Sequence, residues 1–180
     1  MTGRVRGIII RKIDYREYDR LFTVYTREQG KIPLVGVGTK KITSKLGGSL
    51  EVGTSATFTI AKSRTFDRIA SADECVHTVA RLPSLDHTAA ALYCFEIIDQ
   101  MVHEGEPDAA LFLLITEFLG KINTISDHKP VDLAQDFIAQ FLSRLGYYQE
   151  GEPDIQKVLQ LHLDRPLRSR PFFNFLLGMS

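Results

Sequence analysis

Asp14, Glu17 and Asp19 place three carboxylates within one short stretch, the kind of group with which metal-dependent nucleases hold Mg²⁺. Arg11, Lys12, Arg16 and Arg20 surround them, so ion pairing within a surface turn explains the cluster better than a metal centre. The histidines, His77, His87, His103, His128 and His162, have no metal-ligand spacing among them and read as structural or solvated. Cys75 and Cys94 form no CxxC pair and read as small core residues, which supports neither a disulfide scaffold nor a structural zinc site. GVGTKK, residues 36–41, lacks the spacing of a P-loop, and there is no serine elbow or Cys and His pair. These patterns predict no catalytic residue, no metal and no cofactor.

The positive side chains carry the stronger pattern. Residues 1–70 hold 14 Lys and Arg against 6 Asp and Glu, and residues 71–180 hold 8 against 16, so a formal net charge of zero conceals +8 beside −8. Each Lys or Arg that neutralises a phosphate releases condensed counterions, a gain that needs no sequence code, which makes nucleic acid the leading partner of the basic half. Mutual neutralisation of the two halves across an internal interface is the alternative. Lys40, Lys41 and Lys45 form the densest cluster, and Thr43, Ser44, Gly47 and Gly48 beside them let the backbone approach a phosphodiester closely. Arg4 and Arg6, two apart on a strand, share a face and extend a phosphate track. Aromatic rings on which bases can stack are interleaved with these cations. Phe22, Phe58 and Phe66 read as core, whereas Tyr15 and Tyr18, set among charges in DYREYD, suit solvent as well as burial.

The elements that must position these side chains follow from periodicity. Residues 4–13, 21–26, 31–37, 54–61 and 66–76 read as strands, with Gly30 supplying the positive φ of a hairpin turn between the second and third. In the fourth, Ala56, Phe58 and Ile60 share one face and Thr57 and Thr59 the other. Five short strands in so short a stretch predict a small closed barrel of the OB type. Beyond Pro83 the period becomes helical. Ala89, Leu92, Tyr93, Ile97 and Met101 define a first helix opened by Ser84, and Leu111, Leu114, Ile115, Phe118 and Ile122 a second begun at Pro107 and Asp108. Residues 131–145 form a third, stopped by Gly146, and residues 155–163 and 169–177 two shorter ones. The fold class is therefore α+β, an OB barrel over residues 1–80 and a helical bundle over residues 81–180. No apolar run reaches the roughly 20 residues that span a bilayer, and the first residues lack a signal-peptide pattern, so a soluble intracellular protein is expected.

HLDRPLRSR, residues 162–170, is a basic island in the acidic half, followed after Pro171 by FFNFLLG. Two readings stand. Arg165, Arg168 and Arg170 could receive an acidic peptide tail beside an apolar surface, or they are solvated at a helix start whose phenylalanines face the core.

DYREYDRLFTVYTREQGKI at residues 14–32 and SKLGGSLEVGT at residues 44–54 resemble the RecO family of bacterial recombination and repair proteins. The likeness continues in order through GEPDAALFLL at 105–114, FLSRLGY at 141–147 and HLDRPLRSR, and so covers nearly the whole chain. The resemblance implies an N-terminal OB-fold, a helical C-terminal domain and a non-enzymatic mediator located with the nucleoid in the bacterial cytoplasm. Such a mediator binds single-stranded and double-stranded DNA, anneals complementary strands and, with RecR, helps load RecA onto DNA covered by single-strand binding protein. By that resemblance Arg4, Arg6, Arg11, Lys12, Lys40, Lys41 and Lys45 are candidate DNA contacts, and Arg165, Arg168 and Arg170 candidates for holding the single-strand binding protein tail. Many relatives insert a four-cysteine zinc module after the segment matching residues 145–148; this chain runs on through YQEGEPDIQKVLQ, and resembles a shortened member. A protein-interaction scaffold with incidental DNA affinity is the competing reading, and a nuclease the third.

Overall fold

The structure, a computed structural model, describes residues 2–124, 129–149 and 154–176. His128, Leu177 at the end of the last expected helix, and residues 150–153 lie outside them. Two compact units are present, residues 1–81 with 102–109, and residues 82–101 with 110–180.

The first unit contains β1 (Thr2–Asp14), β2 (Arg20–Thr26), β3 (Gly30–Gly36), β4 (Thr54–Ala61) and β5 (Asp67–His77). They close into a barrel in the order β1-β2-β3-β5-β4, the five-stranded OB arrangement. β1 with β2, β2 with β3, β4 with β5 and β1 with β4 pair antiparallel, and the ring is closed by a short parallel pairing of β3 with β5, Leu34 opposite Asp67 and Val35 opposite Arg68. Closure depends on the length of β1, whose residues 2–8 pair with β4 while residues 7–14 pair with β2.

A bulge makes this double use possible. The β1–β2 register shifts between Ile9 and Arg11, and Ile8, Ile9 and Ile10 are all buried, so simple alternation fails there. The inserted residue reverses which face each side chain takes. Before it, Val5 and Ile9 point into the core; after it, Lys12 stands opposite core residue Phe22 and Arg11 opposite Thr23. In β4 the expected alternation holds, with Thr54, Ala56, Phe58 and Ile60 buried and their neighbours half-buried. The core joins Val5, Ile9, Phe22, Val24, Leu34 and Phe58 with Leu50 from the long β3–β4 connection. Each fully buried apolar side chain contributes about 1.5–3 kcal/mol, against about 0–1 for an exposed ion pair. The surface charges are thus free to serve a purpose other than holding the barrel together.

Phe66 departs from the expectation of a core residue. It lies one residue before β5 begins, half-buried and outside the barrel core.

The second unit holds α1 (Leu85–Met101), α2 (Ala109–Ile122), α3 (Pro130–Arg144), α4 (Ile155–His162) and α5 (Arg170–Leu176). Ser84 opens α1 as its sequence position suggests, its hydroxyl accepting from the His87 N–H at 3.4 Å. Asp154 caps α4 by accepting from Gln156 N–H and Lys157 N–H at 2.9 and 3.2 Å. A positive φ of 78° at Gly146 follows the end of α3. The first helix is less amphipathic than its periodicity predicted: Ala89, Ala90, Ala91, Tyr93, Cys94, Phe95, Ile97 and Ile98 are buried, whereas Leu92 is exposed. Its small residues allow neighbours to approach on several sides, and it packs on both α3 and α5. Phe173 of α5 stacks on Tyr93 with ring centroids 4.0 Å apart. Among the described residues, no helix is long and apolar enough to cross a membrane.

Candidate nucleic-acid interface

Three connections of the barrel carry cations: Arg16 in residues 15–19 between β1 and β2, Lys40, Lys41 and Lys45 in residues 37–53 between β3 and β4, and Lys62 and Arg64 in residues 62–66 between β4 and β5. The first two are fastened together by the carboxylates that looked like metal ligands. Asp19 Oδ1 accepts from the Gly38 N–H at 2.8 Å, and the Lys40 N–H donates to the Tyr18 carbonyl at 3.0 Å. Asp14 meets Lys40 Nζ at 3.1 Å and Arg20 Nε at 3.6 Å, while Arg20 also donates to the Thr39 carbonyl at 3.3 Å. The hydrogen bond from Lys40 is the main reason that the Asp14 carboxyl lies below its ordinary range; burial opposes it, and the charges of Lys40 and Arg20 add to the lowering. Two of the three carboxylates therefore hold loops, and among the described residues no group of three or more His, Cys, Asp or Glu is arranged to hold a metal ion.

The candidate DNA contacts divide into distinct environments. Arg4 and Arg6 are exposed on the outer face of β1, opposite Thr59 and Thr57 of β4. The Glu28 carboxylate lies beside them, accepting from the Arg6 backbone N–H at 3.0 Å. Lys41 and Lys45 are exposed, and Lys41 Nζ sits 5.0 Å from the centroid of the exposed Tyr18 ring. Lys40 is half-buried and already engaged by Asp14. Lys12 is the clearest departure: the bulge turns it to the inner side, where its ammonium is paired with Glu51. Arg11 is half-buried beside it on the opposite face.

A cluster that sequence reasoning did not assemble lies between the first and third connections. Tyr15 and Phe66 meet edge to face, centroids 5.7 Å apart, and the Arg16 guanidinium lies over Tyr15 at 4.9 Å. Together with Asp19, Val35, Val37 and Arg68 they line a cleft of about 130 Å³. Lys62 is tied to Asp67 at 2.6 Å, and the same carboxylate accepts from the Ser63 N–H at 3.2 Å, which closes the 62–66 turn. The Asp67 carboxyl is lowered chiefly by Lys62. Arg64 and Arg68 stay exposed around that turn. The signal for this cluster was present as Tyr15 beside Arg16 and Phe66 between Arg64 and Arg68, but only the parallel β3–β5 closure brings the two stretches together.

In the helical unit the basic island is held down by acids of α1. Glu96 accepts from the Arg168 and Ser169 backbone N–H groups at 2.8 and 3.0 Å and from the Ser169 hydroxyl at 2.6 Å. Burial alone would raise the Glu96 carboxyl, yet these hydrogen bonds together outweigh it and leave it below its ordinary value. Arg165 reaches Asp99 at 3.6 Å and remains half-exposed, Arg168 is exposed, and Arg170 half-buried. A groove of about 760 Å³ between α2 and α3 contains the exposed Leu113 with Arg144 and Tyr148, and none of the island arginines lines it.

Comparison with known proteins adds to this geometry. Residues 1–76 match the family model described as Recombination protein O N terminal, and residues 82–152 that described as Recombination protein O C terminal. Proteins named DNA repair protein RecO are similar in sequence. That of Listeria monocytogenes serotype 4b is 32% identical over 145 residues, 81% of this chain and 56% of the relative. That of Trichodesmium erythraeum is 32% identical over 145 residues, 81% of this chain and 50% of the relative. A third, from Pelotomaculum thermopropionicum, is 30% identical over 142 residues, 78% and 54%. The chain thus spans about half the length of the curated relatives it matches.

Proposed function

This chain belongs to the RecO family of recombination and DNA repair proteins, and from that premise we propose that it is a non-enzymatic mediator that binds single- and double-stranded DNA through its basic barrel and anneals complementary strands. The observation that carries this reading is the set of three cation-bearing connections on one OB barrel, with Arg16 and Arg68 lining the cleft of the Tyr15 and Phe66 rings, Lys41 over Tyr18, and Lys45 and Arg64 exposed. The loops after the first and fourth strands are where OB-folds generally hold oligonucleotides. Arg4 and Arg6 add to the surface through β4: Arg4 stands opposite Thr59, three residues before Lys62 at the start of the 62–66 turn. Cations at such sites release counterions from DNA, and rings beside them stack on bases.

The family resemblance extends the proposal to helping RecA loading with RecR in the bacterial cytoplasm, and to docking of the acidic tail of single-strand binding protein at Arg165, Arg168 and Arg170. The exposure of Arg168 and the half-exposure of Arg165 support the last point; the Arg165 guanidinium is paired with Asp99, so there the tail would compete with a carboxylate already in place, whereas Glu96 accepts from the Arg168 backbone N–H.

Charge reversal at Lys40, Lys41 and Lys45 tests the reading. Fluorescence anisotropy on single-stranded and duplex oligonucleotides is expected to show binding that weakens steeply with salt, and the triple variant to lose binding and annealing together. Absence of binding at low salt by the unaltered protein sinks the proposal. Retained RecR binding with DNA affinity untouched by the charge reversal supports the interaction scaffold instead.

A further inference from the structure

We propose that the cleft between residues 15–19 and 62–66 is a subsite for one unstacked nucleobase of single-stranded DNA. The inference rests on the DNA-binding reading above and adds the kind of DNA and the part of it that is held. Tyr15 and Phe66 are both half-buried and contribute nothing to the barrel core, which is complete without them. They instead brace one another across two connections that no strand pairing joins, and the space beside them is also lined by Asp19, Val35 and Val37. Aromatic side chains beside Asp19 suit a flat neutral ring better than a phosphate, which that carboxylate would repel. Further polar residues line the cleft: Arg16, Arg68, and Ser63 and Thr65 of the turn. A base stacks on an aromatic face or on a guanidinium plane, and Arg16 over Tyr15 offers a guanidinium plane backed by a ring. The adjoining phosphates would meet Arg68 and the exposed Arg64.

A duplex presents only base edges in its grooves and keeps its ring faces stacked, so the cleft selects unpaired strands. An acidic peptide ending in an aromatic residue shares the charge and the ring. The nucleobase is favoured because exposed Lys41 and Lys45 on the neighbouring connection continue the positive surface for several phosphates.

The chain contains no tryptophan, so Phe66→Trp places a single indole reporter in the cleft. Its emission is expected to be quenched at saturation by an oligothymidylate and to stay unchanged with a duplex of equal length. Tyr15→Ala and Phe66→Ala are expected to weaken oligothymidylate binding at least about fivefold, the loss of one stacking contact, while Tyr15→Phe retains it and duplex affinity moves less than about twofold. Equal losses for single strands and duplex, an indole signal that does not move when anisotropy shows saturation, or quenching by a glutamate-rich peptide ending in Phe but not by the oligothymidylate would each overturn the subsite while leaving DNA binding standing. If the unaltered protein binds no DNA at low salt, the broader reading falls and takes this one with it.

Discussion

Asp14 lies 3.1 Å from Lys40 Nζ, and with that contact an anionic side chain occupies one of the cations best placed to meet a phosphate. Arg20 closes on the same carboxylate at 3.6 Å, so two cations are partly neutralised before any ligand arrives. The Asp14 side chain is itself 69% exposed, which leaves it open to displacement by a competing phosphate.

Asp14→Asn is therefore expected to strengthen DNA binding and to steepen its salt dependence. Each cation newly available to a phosphate adds about 0.7 to the magnitude of the logarithmic salt slope for single strands and about 0.9 for duplex. Anisotropy titrations across a salt series measure both quantities. An unchanged slope with unchanged affinity would show that Lys40 and Arg20 do not reach DNA.

Lys12 and Lys41 make a controlled comparison. Lys12 is paired with Glu51 on the inner side of the barrel wall, whereas Lys41 is exposed above Tyr18. Lys41→Ala should lower DNA affinity and flatten the salt slope by about one phosphate contact. Lys12→Ala should leave the slope intact and instead cost about 0.5–1 kcal/mol of stability, the range for a pair whose acid is well exposed. Urea denaturation beside the DNA titration separates the two effects.

That contrast also marks where the sequence stopped being legible. The alternation of β4, the hairpin glycine and the helix stop at Gly146 could be read because each is local: a period of two, or a backbone position that favours glycine. The placement of Lys12 could not, because Ile8, Ile9 and Ile10 conceal the bulge that reverses the faces of β1. Three successive apolar residues fit either register equally well. Phe66 was misplaced for a related reason, since a ring one residue before a strand has the same composition signal as one inside it. Its partner Tyr15 lies 51 positions away, brought near only when β3 and β5 pair in parallel. In the helical unit the apolar spacing located α1 but not its burial on several sides, which depends on the neighbours that its alanines admit.

Gly30 is required for two independent reasons. Its φ is +66°, which L side chains rarely adopt, and a Cβ at this position would overlap the backbone carbonyl of Glu106 in the 102–109 segment. That segment is fastened to β3 by the Gly105 N–H donating to the Lys31 carbonyl at 3.0 Å. Gly30→Ala is expected to cost about 2–4 kcal/mol, combining left-handed backbone strain with overpacking against an atom that cannot rotate away. Thermal unfolding by circular dichroism measures it. A loss below about 0.5 kcal/mol, the level of an ordinary surface substitution, would show that the 102–109 segment gives way freely.

Glu96 fixes the start of α5 through three hydrogen bonds, from the Arg168 and Ser169 backbone and the Ser169 hydroxyl. Its carboxyl is lowered in the folded protein from the ordinary value of 4.5. A group with a depressed folded pKa contributes its full stabilisation above the unfolded value and loses it as pH falls through the folded one. The attachment of α5 to α1 should accordingly be constant at neutral pH and weaken progressively below about pH 4.5. Glu96→Ala removes the charged acceptor of one exposed and two part-buried donors, at a cost of about 1.5–3 kcal/mol, the range for hydrogen bonds to a charged group. Hydrogen exchange followed by mass spectrometry on residues 165–176 reads this locally: protection should fall in acid for the unaltered protein and be low at every pH in Glu96→Ala. Stacking of Phe173 on Tyr93 has no titrating partner in that pH range and holds the helix by burial alone. If protection of residues 165–176 proved independent of both pH and the substitution, the ring stack would be the sole anchor of α5.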